Sequence, residues 1–150
     1  MLNQLKAVFA SFQKHNVKYV VIGGVAAVLH GVPRATFDLD ILVEPSPQNA
    51  YHLLKALEEA KFGTASLITA EELLAHEITI FKDLVRIDAQ TSTPGLSFAD
   101  AWNERQRMVF EGQEFFVASR RHLIASKRAA GRKIDLEDIR LLEANDPDPG

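Results

Sequence analysis

Two hydrophobic rhythms alternate along the chain, and the switches between them mark out its elements. Leu2, Leu5, Phe9 and Phe12 recur at helical spacing, so residues 2–14 read as an amphipathic helix that stops near Asn16. Tyr19-Val20-Val21-Ile22 is instead a continuous apolar and β-branched run, the pattern of a buried strand. Gly23-Gly24 ends that strand, and residues 25–30 predict a short helix before Gly31-Val32-Pro33 breaks the pattern. Residues 38–43 predict the next strand. Its period of two sends Asp38 and Asp40 to one face and Leu39 and Ile41 to the core.

The remaining pattern is read the same way. Ser46-Pro47 predicts a capped helix start, with Ala50, Leu53, Leu54 and Leu57 as its buried stripe and Gly63 as a left-handed stop. Thr69 with Glu72 predicts a capping box that opens a shorter helix. Residues 78–81 and 84–89 predict two strands turning at Lys82-Asp83, and residues 97–103 a helix. A hairpin about Glu111-Gly112-Gln113 joins residues 108–110 to 115–117, and residues 119–130 and 135–143 are the closing helices. This order implies an α/β (α+β) domain: a mixed sheet flanked by helices, with helices at the C-terminal end. Residues 1–144 read as a single domain, and the acidic, proline-rich residues 145–150 as a disordered tail.

Composition narrows the class. A chain of 150 residues with 47% hydrophobic and 25% charged residues suits one globular core. The absence of cysteine excludes disulfides and thiolate metal sites. No apolar run approaches bilayer-spanning length and no signal-peptide pattern opens the chain, so it reads as cytoplasmic with no membrane partner. A net charge of −3 argues against a surface built for bulk nucleic-acid binding. The charge is uneven, however: Arg120, Arg121, Lys127, Arg128, Arg132 and Lys133 crowd together, with acidic residues following from Asp135.

The candidate chemistry lies in Gly23-Gly24, the stretch R-A-T-F-D-L-D from Arg34 to Asp40, and Asp88 in the strand-like V-R-I-D-A. Two carboxylates on one strand face repel unless a proton or cation lies between them, and Mg²⁺ prefers such hard oxygen ligands. With Asp88 on the neighbouring strand, the set would complete a two-metal site with ions roughly 3.5–4 Å apart. Gly23 and Gly24 would line a triphosphate seat, with the Arg34 cation and the Thr36 hydroxyl close enough to touch phosphate. Each feature alone has a plainer reading: D-x-D as a solvated strand face, Asp88 as a surface residue, the glycine pair as a turn. Together, and in this order, they point to chemistry. Aspartyl-phosphate phosphatases and metal-dependent sugar transferases place D-x-D at a strand's end, whereas here the aspartates begin one. G-K-[ST], G-x-G-x-x-G and H-E-x-x-H are all absent. Phe98, Trp102, Phe110, Phe115 and Phe116 are assigned to the core. So is Phe37, because it alternates with Asp38.

The G-G-x₁₃-D-x-D pattern with a third Asp on a later strand resembles the DNA polymerase β-type nucleotidyltransferase superfamily. The similarity is greatest to its small bacterial members, including the abortive-infection type of toxin–antitoxin systems. V-I-G-G-V-A-A-V-L-H-G-V-P-R-A-T-F-D-L-D-I-L-V and L-I-A-S-K-R-A-A-G-R-K-I-D-L-E-D-I both read like that group. The resemblance implies that Gly23 and Gly24 seat the triphosphate while Asp38, Asp40 and Asp88 bind metal and carry catalysis. It also implies that Lys127, on the later helix, lies near the triphosphate. Family members commonly have Gly-Ser where this chain has Gly23-Gly24. The implied activity is Mg²⁺-dependent transfer of a nucleoside monophosphate from an NTP to an acceptor hydroxyl, releasing pyrophosphate. Two ions are expected, with Mn²⁺ as a substitute. The acceptor is a protein, a tRNA or a small molecule, and a cognate partner protein is a further candidate. The alternative is an inactive module of the same fold that acts as a regulatory, antitoxin-like partner. Arg120 and Arg121 oppose the dipole of the helix they begin, which a phosphate or the acidic closing helix would offset. Arg132 with Asp135 or Asp138 reads as an ion pair tying two helices together.

Overall fold

Strand β1 (Tyr19–Ile22) is buried at every position, as its unbroken apolar run requires. It lies in the middle of a six-stranded mixed sheet in a computed structural model that describes residues 2–145. The other strands are β2 (Asp38–Val43), β3 (Ile78–Lys82), β4 (Arg86–Gln90), β5 (Gln106–Phe110) and β6 (Gln113–Val117), in the order β3-β4-β2-β1-β6-β5. β1 runs antiparallel to β2 and parallel to β6, β2 runs parallel to β4, and β3–β4 and β5–β6 are antiparallel pairs. Among the described residues seven α-helices accompany the sheet: α1 (Leu2–Lys14), α2 (Gly23–Leu29), α3 (Pro47–Glu59), α4 (Ala70–Leu74), α5 (Phe98–Asn103), α6 (Arg120–Ala130) and α7 (Lys133–Ala144). Residues 146–150, most of the expected tail, lie outside the described residues. Among the described residues no helix is long and apolar enough to cross a membrane.

The two faces of the sheet are treated differently. One face buries Tyr19, Val21, Leu39, Ile41, Ile87 and Phe115 in the main core, which also takes in Phe9 and Phe12 of α1 and Leu53 and Leu57 of α3. Burying each such side chain contributes about 1.5–3 kcal/mol. The opposite face carries Val20, Ile22 and Leu42, covered by Leu96, Ala101 and the rings of Phe98 and Trp102. Asp38 and Asp40 share the parity of Leu42 and so belong to this second face. Its cover lies over β1 and does not extend across β3, where Ile78 and Ile80 are 49% and 52% exposed.

Two expectations fail for local reasons. The left-handed residue that closes α3 is Lys61 (φ 75°), not Gly63, which begins a short 3₁₀ turn. The amides of Lys61 and Phe62 reach back to the carbonyls of Glu58 and Leu57, the double bond of a Schellman ending. Burial of Phe62 beneath that turn outweighs the strain at Lys61. Phe37 is 81% exposed rather than in the core, because β2 begins one residue later and the strand alternation does not extend back to it.

Candidate active site

Parallel pairing of β2 with β4 sets Asp40 opposite Asp88 and Asp38 opposite Arg86, all on the half-covered face. Antiparallel pairing with β1 sets Ile22 opposite Asp40, so the chain leaving β1 crosses directly over that carboxylate. Gly23 makes the crossing possible. Its φ is 69°, and a Cβ there would overlap Asp40 Oδ2. Gly24 is close-packed for a different reason: a Cβ on it would sit 2.7 Å from Thr36 Oγ1 and 3.0 Å from Arg34 Nη2. Sequence neighbours 34–40 and the glycine pair therefore meet in one small volume.

The electrostatics follow from this crowding. Burial, then the Asp88 and Asp38 charges, push the Asp40 carboxyl up to about 6, against a partial pull downward from Arg132 and Lys127. Arg86 answers part of that negative charge. It binds Asp88 through two bonds, Nε to Oδ1 at 2.8 Å and Nη2 to Oδ2 at 3.2 Å, and its Nε lies 3.8 Å from Asp38 Oδ2. Among the described residues no three carboxylate or imidazole groups converge as a ready-made metal cage. In donor type the three aspartates fit Mg²⁺: hard oxygens on adjacent strands, one of them strained by uncompensated negative charge.

The cations form a second cluster beside the glycines. Lys127 is buried, with its Nζ 2.8 Å from Asp138 Oδ2 and 3.7 Å from Asp135 Oδ1. Arg34 grips Asp138 with two bonds, Nε to Oδ1 at 2.9 Å and Nη2 to Oδ2 at 2.8 Å. Arg132 does the same to Asp135, at 2.7 and 3.1 Å. Burial raises both carboxyls, but the hydrogen bonds from Arg132 hold Asp135, and those from Arg34 and Lys127 hold Asp138, below the ordinary range. Three cations share two buried carboxylates, so the cluster keeps a net positive charge next to Gly24 and Asp40. Arg132 caps α7 and Asp135 lies in its first turn, so their ion pair is internal to α7 and does not tie two helices together as expected; Lys127 of α6 does that. The Arg132–Asp135 pairing itself was legible in the sequence. The engagement of Lys127 and Arg34 by Asp138 was not, although an i, i+3 pair of aspartates facing a basic helix is a usable signal. Arg120 donates to the Leu142 carbonyl at 2.8 Å and Arg121 pairs with Glu104, so α7 and α5 supply the offset to the dipole of α6.

A groove of about 490 Å³ opens beside Asp38, lined by Thr36, Phe37, Asp38, Lys82, Leu84 and Arg86. Phe37 and Leu84 are both largely exposed there. A more apolar hollow of about 290 Å³, between Phe12, Tyr19, Trp102 and Phe116, lies at the other end of β1 from the aspartates.

Residues 2–144 match the family model described as "Nucleotidyltransferase of unknown function (DUF6036)". A crystal structure of a "putative nucleotidyltransferase" from Thermotoga maritima has the same fold, with a TM-score of 0.63 at 15% identity. The match covers 97% of this chain and 93% of that one. No curated protein matches the chain in sequence.

Proposed function

The chain belongs to this family of nucleotidyltransferases, and from that premise we propose that it transfers a nucleoside monophosphate from an NTP to an acceptor hydroxyl, releasing pyrophosphate. The observation that carries the reading is the crossing of Gly23 over Asp40, with Asp88 and Asp38 on the same face and a net-positive cluster alongside. The backbone at Gly23-Gly24 and the Thr36 hydroxyl would offer a triphosphate its donors, and Arg34 and the buried Lys127, both held by Asp138, would add positive charge behind them. Asp38, Asp40 and Asp88 would hold Mg²⁺, or Mn²⁺ in its place, which supplies charge neutralisation for the triphosphate and its leaving group. The protein's own contribution is positioning: it holds the α-phosphorus near the aspartates and fixes the acceptor in line with it.

Incubation with α-labelled and γ-labelled NTP tests the reaction. Label transferred from the α position is the expected result, and γ transfer would mean a kinase. Asp40→Asn should abolish transfer while leaving the fold intact, since it keeps the side chain's shape and removes its charge.

One observation favours a second reading. Arg86 already neutralises Asp88 and approaches Asp38, as suits a regulatory, antitoxin-like module that binds a partner protein without turnover. Calorimetry with Mg²⁺ and each NTP separates the two. Nucleotide binding supports the enzyme, and its absence alongside a tight protein complex supports the module.

A further inference from the structure

β3 is an edge strand, and its alternation has a specific consequence. The Thr91 amide donates to the Glu77 carbonyl at 2.9 Å, and the Asp83 amide to the Val85 carbonyl at 3.1 Å. These bonds bracket the β3–β4 ladder and fix its phase, so Thr79 and Phe81 bond inward to β4. Ile78, Ile80 and Lys82 therefore turn their amide and carbonyl groups outward, and no other backbone hydrogen bond among the described residues takes them up. Their side chains lie on the carboxylate face. Register places Ile80 beside Asp88, and Asp88 beside Asp40, in one row across three strands. A sheet edge with two half-exposed isoleucines is a liability that folded proteins normally cover or break with charge. Here only Lys82 does so.

We propose that this edge is the acceptor dock. An extended polypeptide adds to β3 as a seventh strand, packs alternate side chains on Ile78 and Ile80, and presents a tyrosine hydroxyl across Ile80 to the Asp88–Asp40 row. The proposal rests on the nucleotidyl-transfer reading and names its acceptor class. Three observations select it. The cations Arg34, Lys127 and Arg132 lie on the glycine side of Asp40, which leaves the β4–β3 side for the acceptor. That side carries Asp38, Asp83 and Asp88 against Arg86 and Lys82, with Arg86 already engaged, so a polyanionic RNA backbone finds no net positive charge there. Strand spacing puts an added strand roughly 10 Å from β4, a distance that tyrosine alone among the hydroxyl side chains approaches. In the transfer the phenolic oxygen bonds to the α-phosphorus of the NTP. The bond from that phosphorus to the α–β bridging oxygen breaks, its electron pair leaves with pyrophosphate, and the phenolic proton passes to solvent by way of the Asp88 carboxylate.

The test uses the full chain, Mg²⁺, α-labelled NTPs and four acceptor probes. These are randomised heptapeptide pools with a central Tyr, Ser or Phe, and bulk tRNA. Label in the tyrosine pool alone is the expected result. Ile80→Pro removes an outward amide that the β3–β4 ladder does not use, so it should cut peptide labelling at least tenfold while calorimetric NTP binding is unchanged. If that variant loses its cooperative melt, Ile80→Lys repeats the test by placing a charge on the edge. Label on tRNA or on serine, labelling by both edge variants at the wild-type rate, or NTP binding with no peptide labelled each overturns the dock and leaves the parent reading standing. Absence of both NTP binding and α-label transfer sinks the parent reading instead.

Discussion

At Gly24 the missing side chain is already accounted for by its neighbours. Thr36 Oγ1 and Arg34 Nη2 fill the space a Cβ would need, at 2.7 and 3.0 Å. Thr36 Oγ1 can turn aside, and Arg34 Nη2, held by Asp138, has to give only slightly, so Gly24→Ser should change the melting midpoint little. It should nevertheless weaken NTP binding, because it expels the Thr36 hydroxyl and disturbs the Arg34 grip on Asp138. Gly24→Ser combined with Thr36→Ala should recover much of that loss, since one hydroxyl then replaces the other. Calorimetry on the two single variants and the double variant measures the coupling, and simple additivity would refute the shared space. Gly23 tolerates no such exchange. Alanine there meets both a left-handed backbone and the Asp40 carboxylate.

At the scale of elements, the pairing of α6 with α7 is where burial and charge are most tightly joined. Asp138 has 1% of its side chain exposed and holds both Lys127 and Arg34. Asp138→Asn leaves two cations short of a partner, one of them buried, and should cost about 3–5 kcal/mol. The pH sign follows from carboxyls held below their ordinary range. The stability that Asp135 and Asp138 contribute is complete above an unfolded pKa of about 3.9 and is lost as pH falls through their lower folded values. Urea midpoints taken between pH 6 and pH 2 should therefore fall more steeply for the wild type than for Asp138→Asn. These elements also mark how far the sequence could be read. Periodicity and capping placed every helix and strand, and the period of two correctly put Asp38 and Asp40 on one face. Contacts distant in sequence were beyond it: a pattern of spacings does not show Arg34 reaching Asp138 across 104 positions. Phe37 and Lys61 failed for the converse reason, since strand onset and burial of Phe62 overrode the local signal.

At the scale of the whole molecule, the sheet carries its carboxylates on a face only partly covered, and that arrangement costs stability. Asp40 is held up at about 6, so the folded state resists its ionisation. The raised value means that stability falls as pH climbs from an unfolded pKa near 3.9 through about 6, and is flat beyond. In EDTA at pH 8, Asp40→Asn should thus be more stable than the wild type, by up to about 3 kcal/mol, with the gap closing toward pH 4. Ligand reverses the order. Mg²⁺ with NTP at about a hundred times its Kd should stabilise the wild type by about 2.7 kcal/mol, or roughly 5–10 °C in a chain of this size, and should leave Asp40→Asn where it was. Thermal melts of the two proteins, each with EDTA and with Mg²⁺-NTP, decide the matter in four curves. A wild type more stable than Asp40→Asn in EDTA would mean that Asp40 is an ordinary structural carboxylate. A variant that gains as much from Mg²⁺-NTP as the wild type would remove Asp40 from the binding site.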